Sequence, residues 1–171
     1  MAGDDVCKLA YDGQVEILKQ KLRDNNELAT KMDETNRMPL HWAASAGHLQ
    51  IVECLFRYNV PIDARDESNW TALMIASSAG RDQIVSLLLG AGAQVNAVNQ
   101  TGQCSLHYAA SKNRYEFDHF RHLACEEERT EVALLLVGHG AQIELLNKEE
   151  KSPLDLAKPG LQRSLQNASR T

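Results

Sequence analysis

The sequence predicts an all-α solenoid of helix-turn-helix units joined by short β-like fingers, and three observations predict it. Leu40, Leu73 and Leu106 recur at one constant interval, inside related phrases that begin at Met38, Thr71 and Cys104. Each phrase follows the pattern x-x-L-H/M-x-A-x-x-x-G/N, so Gly47, Gly80 and Asn113 close it at the same interval. The regularity then fails, because the next leucine of this class is Leu154, almost half a period late. A period of about 33 residues marks a stack in which no copy buries its own apolar face, so neighbouring copies must cover one another.

The first copy, VCKLAYDGQVEILKQKL, keeps Ala10, Gly13, Val15, Ile17 and Leu18 in register but lacks the Pro-Leu-His phrase, and reads as an N-terminal cap over 4–36. The first full repeat spans 37–69. Pro39 presets the opening turn of its inner helix, where a missing N–H costs nothing, and His41 can tie that turn to its neighbour. Small residues at Ala43 and Ala44 let adjacent copies approach, and Gly47 supplies the left-handed backbone that ends the helix. Ile51, Val52, Leu55 and Phe56 then fall at helical spacing, which predicts an outer helix with one apolar face, closed at Asn59. The second full repeat, 70–102, repeats this plan and closes its outer helix at Gly92, as Gly140 does further on. VPIDARDESN, AQVNAVNQTG and AQIELLNKEE mix β-branched residues with Asn, Asp and Gly and read as the fingers. The last copy, 151–171, starts correctly at Pro153 and Leu154, then meets Pro159-Gly160 and a polar tail. It reads as a C-terminal cap whose final half-dozen residues fray.

The break lies between Asn113 and Glu128. The steps from Gly47 to Leu73, from Gly80 to Leu106 and from Glu128 to Leu154 are equal, each the length of one outer helix and one finger. One reading is a fifteen-residue insertion that lengthens a single repeat. The other is a truncated repeat over 103–120 followed by a separate repeat over 121–150, with Arg121-His122-Leu123-Ala124-Cys125 opening a new inner helix. The register of H-L-A-C favours truncation, with Phe117 and Phe120 covering the back of the inner helix at Leu106, Ala109 and Ala110.

Composition narrows the function. At 171 residues, 43% hydrophobic and 24% charged, the chain suits one soluble domain, and its net charge of -5 argues against nucleic acid and anionic membranes as partners. No apolar run is long enough to span a bilayer, and the acidic N-terminus lacks a signal core. Four scattered cysteines without a C-x-x-C pair fit reduced thiols in the cytoplasm or nucleus. There is no phosphate-cradling glycine loop, no G-x-S-x-G and no H-E-x-x-H, so no enzyme activity and no cofactor are expected. His119, His122 and Cys125 are spaced as three ligands on one helical face, but the repeat already accounts for the last two, and no metal is expected.

LHWAASAGH, NWTALMIASSAGRDQIVSLLLGAGAQVNAVNQTG, SLHYAASKNR and LACEEERTE followed by NKEEKSPL closely resemble the gankyrin family of ankyrin-repeat proteins, up to about Lys158. Members carry about seven repeats, whereas roughly one and a half are missing here after Glu116, and the tail differs. The resemblance implies a monomeric adaptor that helps assemble the proteasome regulatory particle by binding the C-terminal domain of a proteasomal AAA-ATPase subunit. It also implies contacts with a cyclin-dependent kinase and the retinoblastoma protein. A kinase-binding cell-cycle regulator or decoy that has lost the proteasomal role is the alternative. Basic groove positions of the family match Arg37 and Lys112, and an acidic one matches Glu127. Glu67 replaces one groove aspartate and Thr35 another. Leu123, Cys125 and Glu127 spell L-x-C-x-E, the motif of retinoblastoma-pocket ligands, which the family carries at this place.

Spacing gives a view of the same face that does not depend on the resemblance. Arg37, Trp70 and Gln103 recur at the repeat interval, as do Trp42, Ile75 and Tyr108, and rows of aromatic and Arg side chains are what interfaces favour. Against this, Trp42 and Tyr108 would serve equally for packing between inner helices, Arg37 and Lys112 as solvated charges, and Leu123 and Cys125 as core.

Overall fold

The computed structural model describes residues 5–111 and 122–170, with the backbone alone for 122–128. Side-chain hydrogen bonds set where the first helix and every second one after it start, whereas the second, fourth, sixth and tenth lack side-chain caps. α1 (Val6–Tyr11) is capped by Asp5, whose carboxylate accepts from Cys7 N–H at 3.1 Å. α2 (Val15–Asp24) follows, then a 3-10 turn over Asn26–Thr30. α3 (Pro39–Ala46) has Pro39 in its first turn and His41 Nδ1 accepting from Met38 N–H at 3.1 Å, and it ends at Gly47 with φ of 90°. α4 (Leu49–Phe56) runs back, and Asn59 closes the following turn at φ 52°. α5 (Ala72–Ser78), capped by Thr71, and α6 (Asp82–Gly90) repeat the plan. α7 (Ser105–Ala110), α8 (His122–Gly138), α9 (Pro153–Leu156) and α10 (Pro159–Ala168) complete it.

The helices form two layers. α1, α3, α5, α7 and α9 stack in order as the inner layer, and α2, α4, α6, α8 and α10 form the outer layer behind them. One continuous core joins the layers, from Leu18 and Leu22 through Leu40, Leu55, Leu73 and Leu88 to Leu106, Leu136 and Leu165. Burying each such side chain is worth about 1.5–3 kcal/mol, and because most of that burial is between copies, the stack rather than the single repeat is the stable object.

The fingers are turns rather than strands among the described residues, and single backbone hydrogen bonds link them. Glu67 N–H donates to Thr35 C=O at 3.1 Å, Gln100 N–H to Ser68 C=O at 3.1 Å, and Lys148 N–H to Thr101 C=O at 3.0 Å. The third finger therefore lies directly against the fourth, and no finger is missing between them. This corrects the expected division into a truncated repeat over 103–120 and a separate repeat over 121–150. α8 is one continuous 17-residue helix with no turn after Cys125, and α7 packs against both α8 and α9. α7, with Leu106, Ala109 and Ala110 buried, packs against α8, whose Val132, Ala133 and Leu136 are buried in the same core. Phe117 and Phe120, assigned that task from the sequence, lie outside the described residues.

Two further pairs of bonds locate the return of the register. Gln94 N–H donates to Asp63 across 31 residues, and Gln142 N–H donates to Asn96 across 46. Arg81 reaches Ser45 C=O across 36 residues, and Arg129 reaches Ser78 C=O across 51 at 2.7 Å. In each pair the second span is the longer by fifteen residues, the same amount by which Leu154 overshoots the period. Residues 103–150 thus make one repeat with an insertion between its inner and outer helices, and regular register resumes at Arg129. The C-terminal copy is helical further than expected. Pro159 opens α10, since proline fits a first helical turn, Leu165 is fully buried, and the helix runs to Ala168, into the stretch expected to fray.

Burial is the leading cause that pushes His41 and His107 below the ordinary imidazole value of 6.5. In each, Nδ1 accepts from a backbone N–H, of Met38 or Cys104, so Nε2 carries the proton and donates to Ala64 or Lys151 C=O. A protonated ring would lose the Nδ1 acceptor. Because the unfolded chain takes up protons first, stability is full above about pH 6.5 and declines as the pH falls from there toward the folded-state values. The melting temperature should therefore drop between about pH 7.5 and pH 5, and the joint variant His41→Gln, His107→Gln should flatten that slope. A parent melting temperature that stays constant over this range would contradict the assignment.

Candidate protein-binding face

The fingers and inner helices share one face, and a repeated hydrogen-bond device shapes it. Asp33 Oδ1 accepts from Thr35 and Arg37 N–H, and Asp66 Oδ1 from Ser68 and Trp70 N–H. Asn99 Oδ1 accepts from Thr101 and Gln103 N–H, and Asn147 Oδ1 from Glu149 and Lys151 N–H. One side-chain oxygen thus satisfies two turn donors in every finger, as expected where Asp and Asn replace backbone acceptors.

In the first three fingers the second polar atom of the Asp or Asn then fixes a side chain on the face. Trp42 Nε1–H donates to Asp33 Oδ2 at 2.8 Å, and Asn99 Nδ2–H donates to Tyr108 Oη at 2.6 Å, both nine residues along the chain. Asp66 faces Ile75 at that spacing, which offers no polar atom. Its Oδ2 instead accepts from Arg37 Nε of the preceding repeat at 3.0 Å. The choice of acid or amide follows from the partner: an indole can only donate, so it needs a carboxylate, whereas a phenol can accept from an amide.

Aromatic contacts complete the surface. The Arg37 guanidinium lies 5.2 Å from the Trp42 ring centroid, and Tyr11 meets Trp42 edge to face at 5.7 Å. Trp70 and Tyr108 lie against each other at 4.3 Å. Trp42, Trp70, Tyr108 and Arg37 are all half-buried, while Tyr11, Met32 and Glu67 are exposed. The spacing argument thus brings together Arg37 with Trp42, and Trp70 with Tyr108. Arg37 is not a free surface charge, since buried Asp66 holds it. Glu67 stands beside Thr35 at the turn, where only its backbone serves the ladder: its N–H donates to Thr35, and its C=O accepts from Gln100 Nε2 at 2.6 Å.

Lys112 lies outside the described residues. Leu123, Cys125 and Glu127 fall on the helical start of α8, an extension of an outer helix rather than an inner helix, and their side chains lie outside the described set, as do those of His119 and His122. Sequence reasoning missed Asp33, Asp66, Asn99 and Tyr11. The first three recur at the repeat interval, four positions before Arg37, Trp70 and Gln103, so the signal was available.

The titratable groups here are arranged for structure. Burial pushes the Cys7 thiol up to about 12, and the same cause raises Cys54 and Cys104, so these stay protonated at neutral pH. Burial alone would raise Asp33, but hydrogen bonds from Arg37 N–H, the Thr35 hydroxyl and N–H, and Trp42 outweigh it and hold the carboxyl below its ordinary value. Among the described residues no three His, Cys, Asp or Glu side chains converge as a metal site, and no helix is long and apolar enough to cross a membrane.

The family described as ankyrin repeats (three copies) matches residues 6–99. The chain is 48% identical over 58 residues to the human 26S proteasome non-ATPase regulatory subunit 10, covering 34% of this chain and 26% of that protein. It is 45% identical over 60 residues to the rat protein of that name, covering 35% and 26%. The matched stretch therefore spans about a quarter of each relative's length, and is shorter than the span to Lys158 over which the motifs were read.

The acid-for-indole, amide-for-phenol pairing can be tested directly. Asp33→Asn should cost about 1–3 kcal/mol, because the turn donors keep Oδ1 and the new amide then points N–H at the Trp42 N–H. Adding Trp42→Tyr recreates the pairing of Asn99 with Tyr108 and should recover most of the loss in urea unfolding. A neutral Asp33→Asn, or no recovery in the double variant, would contradict the pairing.

Proposed function

Because the chain belongs to the ankyrin-repeat family, we propose that it is a non-enzymatic protein-binding adaptor that uses the face built by Arg37, Trp42, Glu67, Trp70 and Tyr108. The observation that carries this reading is the fixing of those half-exposed aromatic and Arg side chains by finger hydrogen bonds and ring contacts before any partner arrives. Groups held in advance lose little entropy on binding, and Trp, Tyr and Arg are the residues that dominate interface energetics.

The partner proposed is the C-terminal domain of a proteasomal AAA-ATPase subunit, with assistance to regulatory-particle assembly as the role and the cytoplasm and nucleus as the place. Similarity to a proteasome regulatory subunit supports that choice. Within it, Glu67 and Glu127 would meet basic groups of the partner and Lys112 an acidic one. Arg37, neutralised by Asp66, would contribute its remaining N–H donors and its stacking surface rather than a net charge.

Glu67→Lys separates binding from folding. Its carboxylate has no partner among the described residues, so stability should change by no more than about 0.5 kcal/mol. Affinity for the purified ATPase C-terminal domain at low salt should fall roughly threefold to tenfold, with the loss shrinking as salt is added. Unchanged affinity would remove Glu67 from the site. Binding to a cyclin-dependent kinase and not to the ATPase domain would replace the proteasomal reading with the cell-cycle one.

A further inference from the structure

We propose that the outer edge of the fourth finger, from Glu144 to Glu149, docks a finger-like, turn-containing segment of another protein, independently of the aromatic face. The molecule itself supplies the template. Each finger offers the next one a backbone carbonyl, those of Thr35, Ser68 and Thr101, and these accept from Glu67, Gln100 and Lys148 N–H. Two of them also offer a side-chain oxygen, Asp63 and Asn96, which accept from Gln94 and Gln142 N–H at 2.9 Å. Filling both sites requires two backbone N–H groups six residues apart, as in Gln94 with Gln100 and Gln142 with Lys148.

In the same register the fourth finger presents the Glu149 carbonyl and the Glu144 carboxylate. Among the described residues neither accepts a hydrogen bond. Between them stands Leu146, the counterpart of Val98, and it is 59% exposed against 37% for Val98. A pair of acceptors so placed is what the second and third fingers each offer to the next, and a finger-like turn with two N–H groups six residues apart is what fills it.

The chemistry of the occupant follows. With Glu149 paired to Lys151 at 3.3 Å, Glu144 and Glu150 outnumber Lys148 on this edge, so a segment carrying positive charge and one apolar side chain over Leu146 fits best. A second copy of this chain does not fit. Its first finger is preceded by α1 and α2, which would have to occupy the place already taken by α9 and α10.

The test uses the full chain and a synthetic peptide of residues 94–103 followed by two lysines, titrated by amide chemical shift. Shifts confined to residues 142–150 are expected. The surface variant Glu144→Lys, Leu146→Lys should bind at least tenfold more weakly, as should a peptide N-methylated at the nitrogen of Gln100. Equal affinity for either of those, or shifts centred on Trp42 and Trp70, would overturn the proposal. So would self-association of the parent chain that Leu146→Lys abolishes, because the edge would then belong to a second copy.

Discussion

Everything on the finger side of this molecule depends on one side-chain oxygen per repeat, carried by Asp33, Asp66, Asn99 and Asn147. Each accepts from two turn N–H groups that would otherwise be left without partners. With the turn closed, its outward carbonyl and N–H are aimed along the stack and meet the neighbouring finger. In the first three fingers the same side chain then uses its other atom to hold an indole, a guanidinium or a phenol on the inner-helix face. Turn closure, stacking register and display of the binding face are thus a single hydrogen-bond arrangement, and burial of the inner histidines ties it to the core.

The insertion shows how far such a stack can be lengthened without losing register. Extra residues enter where an inner helix turns back into its outer helix, at the end away from the fingers. The bonds that define the repeat, from Lys148 to Thr101 and from Arg129 to Ser78, are made on the far side of that point. Val132, Ala133 and Leu136 on α8 share one core cluster with Leu106 on α7, so the added length leaves these two helices packed together. α7 is thus covered by the outer helix that follows the insertion.

Much of the fold was legible because it rests on short-range chemistry. Pro39, Gly47, Asn59 and the apolar spacing of Ile51, Val52 and Leu55 each specify local geometry, and the structure has them as read. The break was misread for a physical reason. H-L-A-C repeats the local pattern of an inner helix, but which inner helix pairs with the outer helix after Arg129 is decided by long-range packing, and α7 occupies that place. The correct clue lay in the step from Glu128 to Leu154, which sets the outer helix and finger without requiring a new inner helix. On the site, the rows of Arg37 with Trp70 and of Trp42 with Tyr108 were visible as periods. The bond from Arg37 to Asp66 was not, because it arises only where Ile75 fails to supply a polar atom.

Register that resumes at Arg129 is the central claim, and removal of Arg114–Glu128 tests it most directly. The joined sequence would place Asn113 before Arg129, as Gly47 precedes His48 and Gly80 precedes Arg81, and would restore the regular interval between Leu106 and Leu154. Asn is suited to the left-handed turn that this junction requires. Amide exchange at Lys148, whose N–H bridges to Thr101, is the decisive reading, with the melting temperature alongside. Undiminished protection at Lys148 and a single unfolding transition no lower than that of the parent are expected. Loss of that protection, or separate melting of the segment from Ser105 onward, would contradict the claim.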